Sequence, residues 1–135
     1  YNGSNYRINN KGYSNLLESL CRISNKYCSY ICLMHGFGTQ ILDAHNVVRH
    51  NKYLLLDLSM TMMKYEGSSI DMDISFLFRK FDRRIVIGSD YPEWTYHEFL
   101  KRALKFADGI EINKRDNITH LNLLQALHHG SNSAL

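Results

Sequence analysis

The chain has 135 residues, 44% of them hydrophobic, with eight glycines and one proline, which suffices for one packed core and excludes fibrous and disordered classes. Sixteen basic against thirteen acidic side chains leave a formal charge of +3, and the basic residues are scattered, so no nucleic-acid partner is expected. No apolar stretch nears the roughly 20 residues that span a bilayer, and the start, with Asn2, Asn5, Asn9 and Asn10, lacks a signal-peptide core, so the expectation is a cytoplasmic protein with no membrane partner.

Taken in chain order, Ser14 is expected to cap a helix that presents Leu16, Leu17, Leu20 and Ile23. Cys21, Cys28 and Cys32 are odd in number and lack paired CxxC spacing, so buried reduced thiols are expected rather than a disulfide framework. The apolar run Tyr30-Ile31-Cys32-Leu33-Met34 reads as a strand that ends at His35, followed by Gly36-Phe37-Gly38. Thr39 then caps a short helix through Ile41, Leu42, Ala44, Val47 and Val48. His45 and His50 are five residues apart and do not share a helical face, which suggests solvated side chains.

A second strand, Tyr53-Leu54-Leu55-Leu56, runs into Asp57-Leu58-Ser59, and Met60, Met62 and Met63 after it either line a pocket or, by default, fill core space. Ile74, Leu77, Phe78 and Phe81 fall at i, i+3, i+4 and i+7, the stripe of an amphipathic helix whose first turn carries Asp71 and Asp73. Arg79, Lys80, Arg83 and Arg84 form a solvated basic connection. The third strand, Ile85-Val86-Ile87, passes into Gly88-Ser89-Asp90-Tyr91-Pro92-Glu93-Trp94. Gly88 admits a close approach of backbone or ligand, and Pro92 prevents continuation of the strand. Thr95-Tyr96-His97-Glu98 matches a capping box, ahead of a helix burying Phe99, Leu100, Ala103, Leu104 and Ala107. A last helix, capped by Asp116 or Asn117, buries Ile118, Leu121 and Leu124 together with Leu123 or Leu127, and leaves His128-His129 in a tail.

Continuous apolar runs, as opposed to alternating ones, suit strands of a parallel sheet. The strand ends at His35, Ser59 and Asp90 are 24 and 31 residues apart, each about one βαβ unit, and right-handed crossovers put all three on one rim. An imidazole, a hydroxyl and a carboxylate then converge where α/β proteins hold their ligands. Two readings of Asp90 stand side by side: a carboxylate presented to a ligand, or a turn and cap residue. His35 has the same two readings, a site group or a satisfied, partly buried side chain.

From Tyr27 to Leu127 the chain resembles the C-terminal end of an amidohydrolase-related protein, one of the metal-dependent hydrolases and decarboxylases built on a (β/α)8 barrel. The likeness rests on Gly88-Ser89-Asp90-Tyr91-Pro92, on His35-Gly36 with Gly38, and on Asn122 in the closing helix. It implies an α/β fold in which residues 1–135 are a single partial domain, the C-terminal portion (about three strand-helix units) of a (β/α)8 TIM barrel. Asp90 is then a ligand of a divalent metal, zinc by family habit, and the acceptor of a proton from the attacking water. His35 is a metal ligand or orients the substrate. The implied reaction is hydrolysis of a small-molecule C–N, lactone or related bond, with nonoxidative decarboxylation as the alternative.

The chain contains no His-x-His pair, which the family's first strand carries, and a complete barrel needs about 250 residues. The expectation is therefore the C-terminal part of a longer protein, which associates with itself or with the missing N-terminal part. A noncatalytic fragment, or a small doubly wound α/β ligand-binding domain, is the competing class, although no G-x-G-x-x-G or Walker sequence is present.

Overall fold

The computed structural model describes residues 10–132. Each apolar run becomes a short strand: β1 (Ile31–Leu33), β2 (Leu54–Asp57) and β3 (Ile85–Val86). They form a parallel sheet in the order β1-β2-β3, with Leu33 beside Leu56 and Leu56 beside Ile85. In-register neighbours point to the same side of a sheet. Leu33, Leu56 and Ile85 accordingly enter the helix-covered core together. Cys32 beside Leu55 and Asp57 beside Val86 take the other face.

The helices are α1 (Asn10–Tyr27), α2 (Ile41–Val48), α3 (Ser59–Lys64), α4 (Ile70–Lys80), α5 (Tyr96–Ala107), α6 (Ile112–Asp116) and α7 (Asn122–Asn132). Ile41, Ala44 and Val48 of α2 and Ile70, Ile74, Leu77 and Phe78 of α4 are buried, as their spacing requires. Phe81 closes α4 as its half-buried C-cap. The Thr95 capping box is present in full: Thr95 Oγ1 accepts from the Glu98 N–H, and the Glu98 carboxylate accepts from the Thr95 N–H at 2.9 Å.

Several local expectations are corrected by packing. Ser14 lies inside α1, and of that helix's apolar residues Leu17 is buried while Leu16 and Ile23 face solvent. Gln40, not Thr39, precedes α2, and no side chain caps it. Cys28 and Cys32 are exposed and Cys21 is half-buried, because Cys32 points to the sheet face away from the helices and Cys28 follows the end of α1. On α5, Phe99 and Ala103 are buried, whereas Leu100 and Leu104 are exposed. These leucines and Ala107 line an open cavity of about 300 Å³ with Ile87 and Ile118.

Arg102 takes a place in the core that apolar periodicity does not foresee. It is 4% exposed, donates from Nε to the Met62 carbonyl at 3.1 Å, pairs with Asp71, and lies 4.5 Å from the Phe106 ring centroid. One guanidinium thus joins α3, α4 and α5, with its charge matched by a carboxylate as burial demands.

The C-terminal region is nearly continuous helix. It begins at Ile112, so Asp116 and Asn117 are interior rather than capping, and a π-turn at Asn117–Leu121 separates α6 from α7. Ile118 is buried, but Leu121, Leu123, Leu124 and Leu127 are exposed. Asn122 anchors α7 by donating from Nδ2 to the Asp82 and Ile85 carbonyls at 2.7 and 2.8 Å. Seven residues later His129, expected in a tail, packs edge-on against Tyr30 and near Tyr53, and its Nε2 is 2.9 Å from the Cys28 carbonyl. At 1.5 Å rise per residue this is about 10 Å, the width of two strand spacings. Helix α7 therefore crosses beneath the amino ends of all three strands.

Candidate functional site

The opposite, carboxyl ends of the strands carry the polar groups. After β1 the chain does not enter a regular helix: His35, Gly36, Phe37 and Gly38 all have positive φ between 55° and 64°. Gly36 is required there, because a Cβ on it would lie 3.2 Å from Leu58 Cδ2 and 3.4 Å from the Asp57 carbonyl at φ +55°. This left-handed run coils the backbone back over the end of β2. The imidazole of His35 is thereby turned across the rim instead of following β1 outward.

Asp57, the last residue of β2, organises this coil. It is 5% exposed. The His35 N–H donates to its Oδ2 at 3.0 Å, the Ser59 N–H to its Oδ1 at 3.1 Å, and the Ser59 hydroxyl to Oδ2 at 2.6 Å. Ser59 Oγ also lies 3.4 Å from His35 Nδ1. Thr61, fully buried, donates its hydroxyl to the His35 carbonyl. A buried carboxylate surrounded by donors on both oxygens is a satisfied polar group, and here it clamps one particular residue of the coil that follows the neighbouring strand.

Beyond β3, Asp90 sits at φ 54° at the start of a turn closed by the Glu93 N–H donating to the Asp90 carbonyl at 3.1 Å. The Tyr91–Pro92 peptide bond in this turn is cis. Asp90 Oδ1 faces His35 Nε2 at 4.0 Å, and both side chains are about one-third exposed. His35, Ser59 and Asp90 thus converge on one rim, as their strand-end positions predict. Beside Asp90 runs an open groove of about 680 Å³ lined by Met60, Lys64, Tyr91, Pro92, Glu93 and Trp94, within the size range of small-molecule sites. Met60 therefore lines the groove rather than the core, while Met62 is fully buried. Gly88 is not conformationally required: a Cβ there would meet only Ser59 Cβ at an ordinary 3.8 Å.

Asp57 is the site residue that sequence reasoning misses. Its signal was available, a carboxylate closing an apolar strand in register with the other two strand ends, but Ser59 two residues later carries the same positional signal. Lys64 is the other omission, since a lysine in the last turn of an unforeseen short helix offers no motif.

The remaining histidines lie elsewhere. His45 is 5% exposed rather than solvated, with its ring centroid 4.4 Å from that of Phe81. Burial holds its pKa down to about 4, helped by the nearby charges of Arg49, Arg84 and His50. His50 is exposed, as expected, with Nδ1 2.8 Å from the Asn46 carbonyl. Arg84, from the basic connection, is half-buried and donates to the Arg49 carbonyl.

For a metal ion the donor chemistry is specific. Zinc binds imidazole nitrogen and carboxylate oxygen at about 2.0–2.2 Å in tetrahedral geometry, which puts two such donors about 3.4 Å apart. The Nε2 to Oδ1 gap is 4.0 Å, so the two part-exposed side chains would have to close by about 0.6 Å to share one ion. Asp57 does not extend the set, because its oxygens are engaged by His35 and Ser59. Among the described residues no group of three His, Cys, Asp or Glu side chains is gathered as a complete cation site; the rim offers two donors. No protein-family model, curated protein or solved structure matches the chain. No described helix is long and apolar enough to cross a membrane.

Proposed function

We propose that this rim is part of the active site of a metal-dependent hydrolase of the amidohydrolase-related type, and that the chain forms the C-terminal portion of a (β/α)8 barrel. The observation that carries the proposal is the opposition of His35 Nε2 and Asp90 Oδ1 at 4.0 Å across the ends of the outer strands. A histidine nitrogen and a carboxylate oxygen are the donor types a divalent ion of zinc type takes, and such an ion would draw this pair together by about 0.6 Å. When bound, such an ion lowers the pKa of a coordinated water to about 7.

The chain's own groups then have distinct tasks. His35 and Asp90 would hold the ion. Asp90 Oδ2 accepts the proton of the attacking water, at a carboxylate fixed by its rim turn. The groove of Met60, Lys64, Tyr91 and Trp94 receives a small molecule, whose C–N, lactone or related bond is cleaved. The same arrangement supports nonoxidative decarboxylation.

The barrel reading is favoured by strand order. Doubly wound sheets bind ligands where the order reverses, whereas β1-β2-β3 run in sequence and the polar groups converge over the central strand. A three-stranded sheet cannot close on itself, so further strands, from another part of the protein or from a second copy, complete the wall and supply the other ligands.

Zinc titration by calorimetry tests the assignment. Weak zinc binding by the wild type, as two donors allow, and its loss in His35→Ala and Asp90→Asn is expected. A wild-type chain that takes up no zinc, manganese or cobalt at millimolar concentration overturns the hydrolase assignment.

A further inference from the structure

The hydrogen bonds around Asp57 determine where the proton of a neutral His35 ring sits. Ser59 has one hydroxyl proton. Its Oγ is 2.6 Å from Asp57 Oδ2, and a carboxylate only accepts, so that proton is directed to Asp57. What Ser59 Oγ offers His35 Nδ1, 3.4 Å away, is a lone pair. Asp57 Oδ2, 3.7 Å from the same nitrogen, is likewise an acceptor. Every polar atom recorded near Nδ1 thus calls for an N–H on it. A neutral imidazole carries a single N–H. Asp90 Oδ1 also accepts but lies 4.0 Å from Nε2, beyond hydrogen-bond reach, whereas Ser59 Oγ is 3.4 Å from Nδ1; the N–H therefore goes to Nδ1, and Nε2 keeps its lone pair on the side facing Asp90.

The ring's backbone is held from the same strand end. The His35 N–H is bound by Asp57, its carbonyl by Thr61, and its left-handed φ of 60° by the coil that follows. Ring orientation and tautomer therefore share one origin at the end of β2.

We infer that Asp57 and Ser59 are positioning residues that hold the neutral His35 ring as the Nδ1–H tautomer, with the Nε2 lone pair turned toward Asp90. This deepens the metal-site proposal and rests on it for its purpose, since a ligand nitrogen must present a lone pair and outer partners on the other nitrogen supply it. With the opposite tautomer, Nε2 would aim an N–H at Asp90, and the two groups would bond to each other instead of to a cation.

The tautomer is measurable without metal. In the metal-free chain labelled with 15N-histidine, two-bond 1H–15N correlation spectra of the neutral His35 ring are expected to show a pyrrole-like Nδ1 and a pyridine-like Nε2. Ser59→Ala removes the nearer of the two acceptors, and Ser59→Cys replaces it with a poor one of similar size. Both are expected to shift the ring toward the Nε2–H form, and Ser59→Ala to weaken zinc binding by about 10–100-fold. A wild-type ring that is mainly Nε2–H overturns the inference without recourse to any variant. So does a folded Ser59→Ala chain whose His35 shifts match the wild type.

Zinc added to the same wild-type sample separates the two proposals. An Nδ1–H ring whose Nε2 signal ignores zinc leaves the positioning role standing and removes the metal site. An Nε2–H ring in a chain that still binds zinc does the reverse.

Discussion

His35 Nε2 and Asp90 Oδ1 face each other at 4.0 Å over the carboxyl end of β2, although 55 positions separate them in the chain. Asp90→Asn keeps the side-chain shape and tolerates the left-handed backbone of φ 54°, while removing the charge. Because Asp90 sits on a part-exposed rim turn, folding stability is expected to change by less than about 0.5 kcal/mol. Zinc affinity is expected to fall by at least the 10–100-fold typical of outer-shell changes. Calorimetric titration beside a thermal melt checks both; an unchanged zinc affinity reduces Asp90 to a turn residue.

His45 predicts an acid weakness. Its pKa is held down to about 4 in the folded state, mainly by burial, against 6.5 when unfolded. The unfolded chain therefore binds the extra proton between these values. The stabilising preference is complete above pH 6.5 and is lost as pH falls toward 4. At about 1.4 kcal/mol per pKa unit, the loss reaches up to about 3 kcal/mol. Urea melts at pH 7 and pH 4.5 should show the wild type losing more stability than His45→Leu. Equal losses in the two proteins would assign the acid sensitivity elsewhere.

Gly36 and Gly67 provide a matched pair. Both have positive φ, +55° and +80°, but an added Cβ meets Leu58 Cδ2 at 3.2 Å at Gly36 and nothing within 4 Å at Gly67. Alanine at either position bears a left-handed strain of about 1–2 kcal/mol. Gly36→Ala is expected to cost more, by the contact with Leu58 and the Asp57 carbonyl, and to disturb the His35 ring signals. Denaturation midpoints and His35 spectra of the two variants check this, and Gly67→Ala should leave His35 unmoved.

Leu100 and Leu104 of α5, Leu121 at the end of the π-turn and Leu124 of α7 are exposed large side chains, and β1 and β3 have partners on one side only among the described residues. Unpaired strand edges and apolar surface favour association. Light scattering of the chain at rising concentration is expected to show dimers or larger species, and Leu104→Lys to lower their proportion. A monodisperse wild-type monomer at high concentration contradicts the expectation.

The legible parts of this protein are those with a local physical cause. Leu54-Leu55-Leu56 reads as a covered strand because a continuous apolar run has few other stable uses, and Ile74, Leu77 and Phe78 mark a helix by spacing alone. Thr95 and Glu98 are three residues apart, so their reciprocal cap is settled before tertiary structure forms. Leu100 and Leu104 show the limit of that logic: periodicity says they share the face of Phe99 and Ala103, and only the width of the neighbouring elements decides which of the four is covered.

The same division runs through the site. By itself the sequence determined that three apolar strands end in His35, Asp57-Leu58-Ser59 and Asp90 at spacings of one strand-helix unit, which places imidazole, hydroxyl and carboxylate on one rim. Tertiary structure alone decided that Asp57 is the hub, that His45 is buried beside Phe81, that Arg102 is a core tie, and that His129 reaches beneath Tyr30 and Tyr53. Each of these depends on partners 22 to 101 residues distant, as His35 to Asp57 and His129 to Cys28 show. A hydrogen bond's value lies in desolvation and geometry at the point of contact, and no pattern within one segment encodes either.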